Sequence, residues 1–346
     1  IFQYPDEIFR NIERYDFGHP HLSDVLASVF NRVLYQKLGI LNDIDSYRVY
    51  GVLLASLLVG LIFWWTTKLY GRFAGVVAAL SLSVYPLFWA ESHFNNEKDI
   101  PETAYWSFML FSVWKGVAEK SWKWLLASGL FFGLALGTKF NILFSVFVVI
   151  PWLATYLISK SSKNLSIYTF LKKNIKTVLT AVLAPILGIS LFLGTWPEFW
   201  SDPVYKIARI VDFYKTIGTS VSFDERFIGP LGVNVYAIQW ILYTTPLIIL
   251  FLTTIGIVAI LSRNFKDTKM TDLLFLLWLI VPIVRVTWPG ANIYGGVRQI
   301  MEYIPAFAIM AGIGAKQIIA WLDGRLIIKT FQFLLLLLFV QIIFKL

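Results

Sequence analysis

Ten apolar runs, each near the length that crosses a lipid bilayer, constrain this chain more than any motif it carries. They fall at residues 49–67, 73–91, 103–119, 124–138, 141–159, 177–195, 237–261, 272–287, 301–320 and 330–346. A spanning helix needs about 20 mostly apolar residues. Only Lys139 and Phe140 separate the fourth run from the fifth. No alternating pattern is long enough for a β-barrel, so helices are the one way left to satisfy the backbone in lipid. Composition agrees: 58% of the 346 residues are hydrophobic and 15% charged, where a soluble domain carries about 25% charged residues. The expectation is an all-α polytopic membrane protein with about ten transmembrane helices. The absence of cysteine excludes a disulfide framework, a thiolate zinc site and a cysteine nucleophile.

The formal charge of +9 reads as topology. With the stretch before residue 48 placed outside, 16 of the 30 Lys and Arg residues fall on inner loops and helix ends, as the positive-inside rule requires. Glu119, Asp267, Asp272 and Asp323 are the only acids on that side, while His19, His21 and His93 lie on the other. Nucleic acid is not an expected partner. Chemistry belongs on the outer face, in the segments 1–48, 92–102, 196–236 and 288–300. Within the first, Leu22, Val25, Leu26, Val29, Val33 and Leu34 recur at helical spacing among polar residues, which suits a helix lying in the membrane interface. The chain begins at Ile1 without Met or signal sequence, so a further spanning helix ahead of it is the economical expectation.

Four outer clusters carry the ionisable residues. Tyr4-Pro5-Asp6-Glu7 sets two carboxylates side by side, which also suits the first turn of a short helix. Gly18-His19-Pro20-His21 follows. His93-Phe94-Asn95-Asn96-Glu97-Lys98-Asp99-Ile100-Pro101 joins two hydrophobic runs, where so many polar groups are costly unless they line an aqueous cavity; an ordinary solvated loop capped by Asp99 is the other reading. Tyr294-Gly295-Gly296-Val297-Arg298 combines chain flexibility with an arginine able to grip phosphate. Lys139 lies at the outer end of a helix pair, and Arg285 within an otherwise apolar run. Asp43-Ile44-Asp45 has the form of a metal-binding pair but stands apart from the rest. No Walker loop, dinucleotide glycine motif, HExxH or Gly-x-Ser-x-Gly is present.

The order of these motifs is more specific than any one of them. YPDE is followed by His-Pro, then HFNNEKDIP, TKFN, WPEFWSDP, WILYTTP and YGGVRQIMEYIP. From Tyr4 to about Gly312 this series resembles the dolichyl-phosphate-mannose-protein mannosyltransferase-like group, glycosyltransferase family 39. The resemblance implies a GT-C fold, here a single transmembrane domain over 1–346. Its first extracytoplasmic loop, with an interfacial helix, is expected at 1–48, a second long one at 196–236, and no soluble carboxy-terminal domain. It implies transfer of a sugar from a polyprenyl phosphate to an acceptor hydroxyl on the extracytoplasmic face, with inversion. The acceptor is a protein, glycan or lipid, and the membrane is the plasma membrane of a prokaryote or the endoplasmic reticulum of a eukaryote.

By the same resemblance Asp6 is the general base. Asp99 is the second-loop acid with Lys98 its basic neighbour, His19 the basic residue before proline, and Arg298 the late arginine near the donor phosphate. Gln299 stands where His is common in the family. A sugar phosphate already has a good leaving group, so the chemistry needs a base for the acceptor and cations for the departing phosphate. Lys98, His19, Lys139 and Arg298 have the charge for that, and Glu7 and Tyr294 complete the candidate set. Neither role asks for a nucleotide or a metal, and no cofactor is expected. A transporter or flippase of lipid-linked sugars is the rival reading, and a non-catalytic membrane subunit another.

Overall fold

A computed structural model of the chain describes residues 18–94, 98–160, 175–220, 225–263, 270–291, 293 and 295–345. Every regular element among them is a helix. In order they are α1 (Leu22–Asn31), α2 (Asp43–Tyr70), α3 (Arg72–Ser83), α4 (Pro86–His93), α5 (Asp99–Ala118), α6 (Trp122–Leu136), α7 (Val146–Lys160), α8 (Ile175–Thr195), α9 (Pro203–Ser220), α10 (Tyr236–Thr244), α11 (Leu247–Ser262), α12 (Thr271–Thr287), α13 (Ile304–Trp321) and α14 (Arg325–Ile343). Short 3₁₀ turns precede α7 (Phe140–Ser145), α9 (Pro197–Trp200) and α13 (Arg298–Tyr303).

Each expected apolar run is helical, yet the runs are not equivalent. Among the described residues, five helices are long and apolar enough to span a membrane: α2, α8, α14, and α7 and α13 with their leading turns. The bent pairs α3–α4 (62°) and α10–α11 (119°) raise the number to seven. The expected ten also included α5, α6 and α12. The last two are short, with 15 and 17 residues. The case of α5 is different: it carries Asp99, Glu102 and Lys115, and most of its side chains are buried against other helices. A helix walled in by protein has no need of a lipid-compatible surface. In contrast, α8 turns Leu179, Val182, Leu183, Ile186 and Leu187 outward, the surface expected of a lipid-facing helix.

Local chemistry sets the boundaries. The side chain of Asn42 accepts from the Asp45 amide (2.8 Å) and caps α2, while Gly71 at φ 101° ends it. Asp43 accepts from Asn31 of α1 (2.7 Å), and Asp45 lies 3.4 Å from Arg48. The Asp43-Ile44-Asp45 motif therefore caps a helix and ties α1 to α2. Small residues allow the closest crossings. A Cβ on Gly256 would stand 2.0 Å from the Met310 carbonyl oxygen, and one on Gly314 1.9 Å from that of Leu252, so α11 and α13 touch backbone to backbone. Gly129 and Gly133 do the same for α6 against α8. The segment 22–41 is helical as expected over α1, continued by a wider π turn over Arg32–Lys37. The expected loop 196–236 holds α9, whose outward face carries Val204, Ile207 and Val211.

Candidate functional site

Three of the expected site residues come together where α5, the α6–α7 break and the turn before α13 meet. Asp99 opens α5, where unpaired backbone amides favour a carboxylate. Lys139 sits in the break after α6 with extended backbone (φ −159°, ψ 141°), so its side chain leaves the helix line. Arg298 is the first residue of the turn before α13. Lys139 Nζ donates to Asp99 Oδ1 at 2.6 Å, and Arg298 Nε lies 3.3 Å from Asp99 Oδ2. One nearly buried carboxylate thus faces two cations, and the side chain of Arg298 remains 41% exposed.

A second layer lies one helical turn deeper. Glu102 follows Asp99 by three residues and Glu302 follows Arg298 by four; each is 1% exposed. Arg285 of α12 stands beside them, with Nη1 3.2 Å from Glu302 Oε1. This contact has the proximity of an ion pair without the alignment of a hydrogen bond. Both Glu302 carboxylate oxygens and Arg285 Nη1 lack a hydrogen-bond partner among the described residues. Between the layers lies the Gln299 carbonyl, which accepts from Asn141 Nδ2 (2.7 Å) and Arg285 Nη2 (2.8 Å), with Lys139 Nζ at 3.4 Å.

The other expected residues are placed differently. The side chain of Lys98, adjacent in chain to Asp99, reaches instead toward Asp24 of α1 at 3.8 Å. His19 packs edge-on against Phe213 and Tyr214 of α9, with Nδ1 3.4 Å from the Tyr214 hydroxyl. Tyr214 in turn touches Phe140, so His19 stands one aromatic layer away from the Lys139 break. Asp6, Glu7 and Tyr294 lie outside the described residues. Among those described, no group of three His, Cys, Asp or Glu residues is arranged to hold a metal ion.

Beside the charged layers is a cavity of about 820 Å³, within the 300–1,000 Å³ typical of ligand pockets. Leu136, Phe140, Phe144, Ile189, Phe192 and Ile210 contribute to a lining that is nearly all apolar. Asn141 belongs to both places, lining the cavity while its amide holds the Gln299 carbonyl. An outer layer of two cations on one carboxylate therefore adjoins an apolar trough, a combination suited to an amphiphile with an anionic head.

Sequence reasoning did not single out Glu102, Glu302 or Asn141. The signal for the two acids was there: Glu102 borders the apolar run 103–119 and Glu302 is the second residue of the run 301–320, and an ionisable residue so placed is costly unless partnered.

Comparison with known proteins fits this geometry. Residues 30–189 match the family described as dolichyl-phosphate-mannose-protein mannosyltransferase. No curated protein matches the chain in sequence. Among solved structures, ArnT from Cupriavidus metallidurans in the apo state superimposes with a TM-score of 0.57 at 17% identity, covering 86% of this chain and 49% of that one. The same protein bound to undecaprenyl phosphate gives 0.52 at 20% identity, covering 86% and 50%. The chain thus spans about half the length of the ArnT structures it matches.

Proposed function

From the GT-C fold shared with ArnT and the mannosyltransferase-family match over residues 30–189, we propose that the chain transfers a sugar from a polyprenyl-phosphate donor to an acceptor hydroxyl. The observation that carries the reading is the meeting of Lys139 and Arg298 on one carboxylate at the edge of an apolar cavity. Within the outer layer two cations face one acid and Arg298 is partly exposed, which gives a phosphate a cation to meet, and the trough beside them suits the isoprenoid tail. A donor phosphate entering here competes with Asp99 for Arg298, the more exposed of the two cations. ArnT in complex with undecaprenyl phosphate supports the choice of lipid.

In the proposed reaction, the acceptor oxygen attacks the anomeric carbon from the face opposite the phosphate, its proton passing to a base. The bond from that carbon to the phosphate oxygen breaks, and the polyprenyl phosphate leaves with the electron pair. Lys139 and Arg298 take up the charge that builds on this leaving group. Asp6 is assigned as the base from the sequence motif alone. The reaction is placed on the extracytoplasmic face by the charge asymmetry of the loops, and it proceeds with inversion.

The test is turnover of radiolabelled polyprenyl-phosphate mannose, glucose and aminoarabinose by purified protein, with a crude acceptor extract. Asp6→Asn is expected to lower turnover about 10²–10⁴-fold, the range for loss of a general base, while donor still binds. Turnover in EDTA is expected to equal that without it, since fixed cations take the leaving-group charge. Tight donor binding with no turnover by the wild type, across all donors and extracts, would overturn the transferase reading in favour of a transporter or subunit.

A further inference from the structure

We propose that Arg285, held by Glu302, is a positioning residue that sets Arg298 toward the donor phosphate through the Gln299 carbonyl. The inference rests on the donor reading of the site. Arg298 follows a loop with little internal constraint: Gly290, Gly295 and Gly296 all have positive φ, and no regular element occupies the described residues between α12 and Arg298. The turn that follows is itself irregular, since Ile300 departs from helical angles (φ −124°, ψ 27°). Such a segment does not fix a long side chain by its own backbone: before Arg298 the Gly296 amide donates to the Tyr236 hydroxyl at 3.0 Å, and after it the direction depends on how the next peptide is anchored.

That anchor is the Gln299 carbonyl. A carbonyl oxygen has two lone pairs, and the two short donors, Asn141 and Arg285, fill them. Lys139, at 3.4 Å from the same oxygen, is left chiefly to Asp99. Asn141 comes from the α6–α7 break and Arg285 from α12, so the carbonyl is clamped from two elements that do not belong to the loop. Arg285 is in turn fixed on three sides: its guanidinium lies 4.9 Å from the Phe144 ring centre, Nη2 faces Gln299, and Nη1 faces Glu302. Glu302 also stands against Glu102, so Arg285 serves two buried acids. The Glu302 carboxylate is buried, lacks hydrogen bonds and has Arg285 as its ion-pair partner. A buried acid kept in this way compensates the arginine that clamps the turn.

The chain of effects predicts a change in selectivity. If Arg285 acts through Arg298, its loss weakens recognition of the phosphate and leaves recognition of the tail alone. Equilibrium binding of undecaprenyl phosphate and of undecaprenol, the same tail without its phosphate, separates the two. The chief variant is Arg285→Met with Glu302→Gln, which removes both charges together and leaves neither buried without a partner. Its expected behaviour is wild-type affinity for undecaprenol and an approximately tenfold lower preference for the phosphate, the effect of losing one well-placed ionic hydrogen bond. Arg285→Lys, which keeps a cation beside Glu302, is expected to recover part of that preference.

A wild-type preference for the phosphate in the double variant would overturn the positioning role and leave the donor reading intact. Equal loss of both ligands would also overturn it, by showing that Arg285 and Glu302 serve the fold alone. A wild-type protein with no preference for the phosphate over the alcohol would bring down the donor reading, and the inference with it.

Discussion

Asp99 is the residue on which the charged site turns. It separates two cations that would otherwise face each other, so Asp99→Ala removes a partner from both. With Arg298 partly exposed, the expected destabilisation is about 1–2 kcal/mol, below the 3–5 kcal/mol for breaking a fully buried pair. Undecaprenyl phosphate is expected to raise the melting temperature of Asp99→Ala more than that of the wild type, because the phosphate supplies the missing anion; a thermal melt in detergent with and without the lipid checks this. Asn31 offers a second test at the same scale. It is 1% exposed and donates to the Asp43 carbonyl, the Asp43 carboxylate and the Ser46 hydroxyl. Asn31→Ala leaves those groups short of a buried donor and is expected to cost about 1–3 kcal/mol, read as a lower melting temperature.

The helices differ in how plainly the sequence announced them. Runs such as 177–195 and 330–346 are apolar on every side because they face lipid over much of their surface, and hydropathy finds them at once. α5 belongs to the interior, and packing accepts Trp, Tyr, Ser and even Glu102 where lipid would not. The charged site was legible in part: the motif order pointed to Asp99, Lys139 and Arg298, and the structure brings all three into one cluster. It could not reveal the clamp on Gln299, because a backbone carbonyl carries no residue-specific signature. Nor did the loop 196–236 announce α9, whose mixed apolar and basic residues lack the continuous apolarity of a span. Helix crossings give the prediction at this scale. Gly256→Ala puts a methyl group against the Met310 carbonyl with no side chain able to yield, and overpacking of this kind costs about 1–3 kcal/mol. A melting temperature equal to the wild type would show that α11 and α13 can part without penalty.

Across the whole molecule, the two ends of the helices differ in chemistry. Asp99 starts α5 among anions and cations poised for exchange, whereas Lys115 at its other end lies 4.2 Å from the ring centre of Trp124 and 5.3 Å from that of Trp64, a setting that anchors a cation. The apolar trough lies beside the first of these ends, roofed in part by Ile207, Ile210 and Val211 of α9. Filling it separates the contribution of the tail from that of the head. Ile207→Trp, at a half-exposed lining position, is expected to weaken undecaprenyl phosphate several-fold and to leave a short prenyl phosphate unaffected. Competition binding with farnesyl phosphate measures both.

The ion pairs of Asp99 also settle an arithmetic of crossings. Asp99, Lys139 and Arg298 all stand at helix ends, and residues in contact at one membrane face must be joined by a chain that crosses an even number of times. Between Asp99 and Lys139 lie α5 and α6 alone, so the two count together. Among the described residues, counting α5, α6, α7, α8, α12 and the bent pair α10–α11 as one crossing each gives six between Asp99 and Arg298, again an even number. A topology drawn from apolar length alone would drop α5, α6 and α12, and the odd total would strand Arg298 on the opposite side of the bilayer from a carboxylate it touches at 3.3 Å. With the bent pair taken as one crossing, that single contact favours the ten apolar runs over the seven that apolar length alone allows.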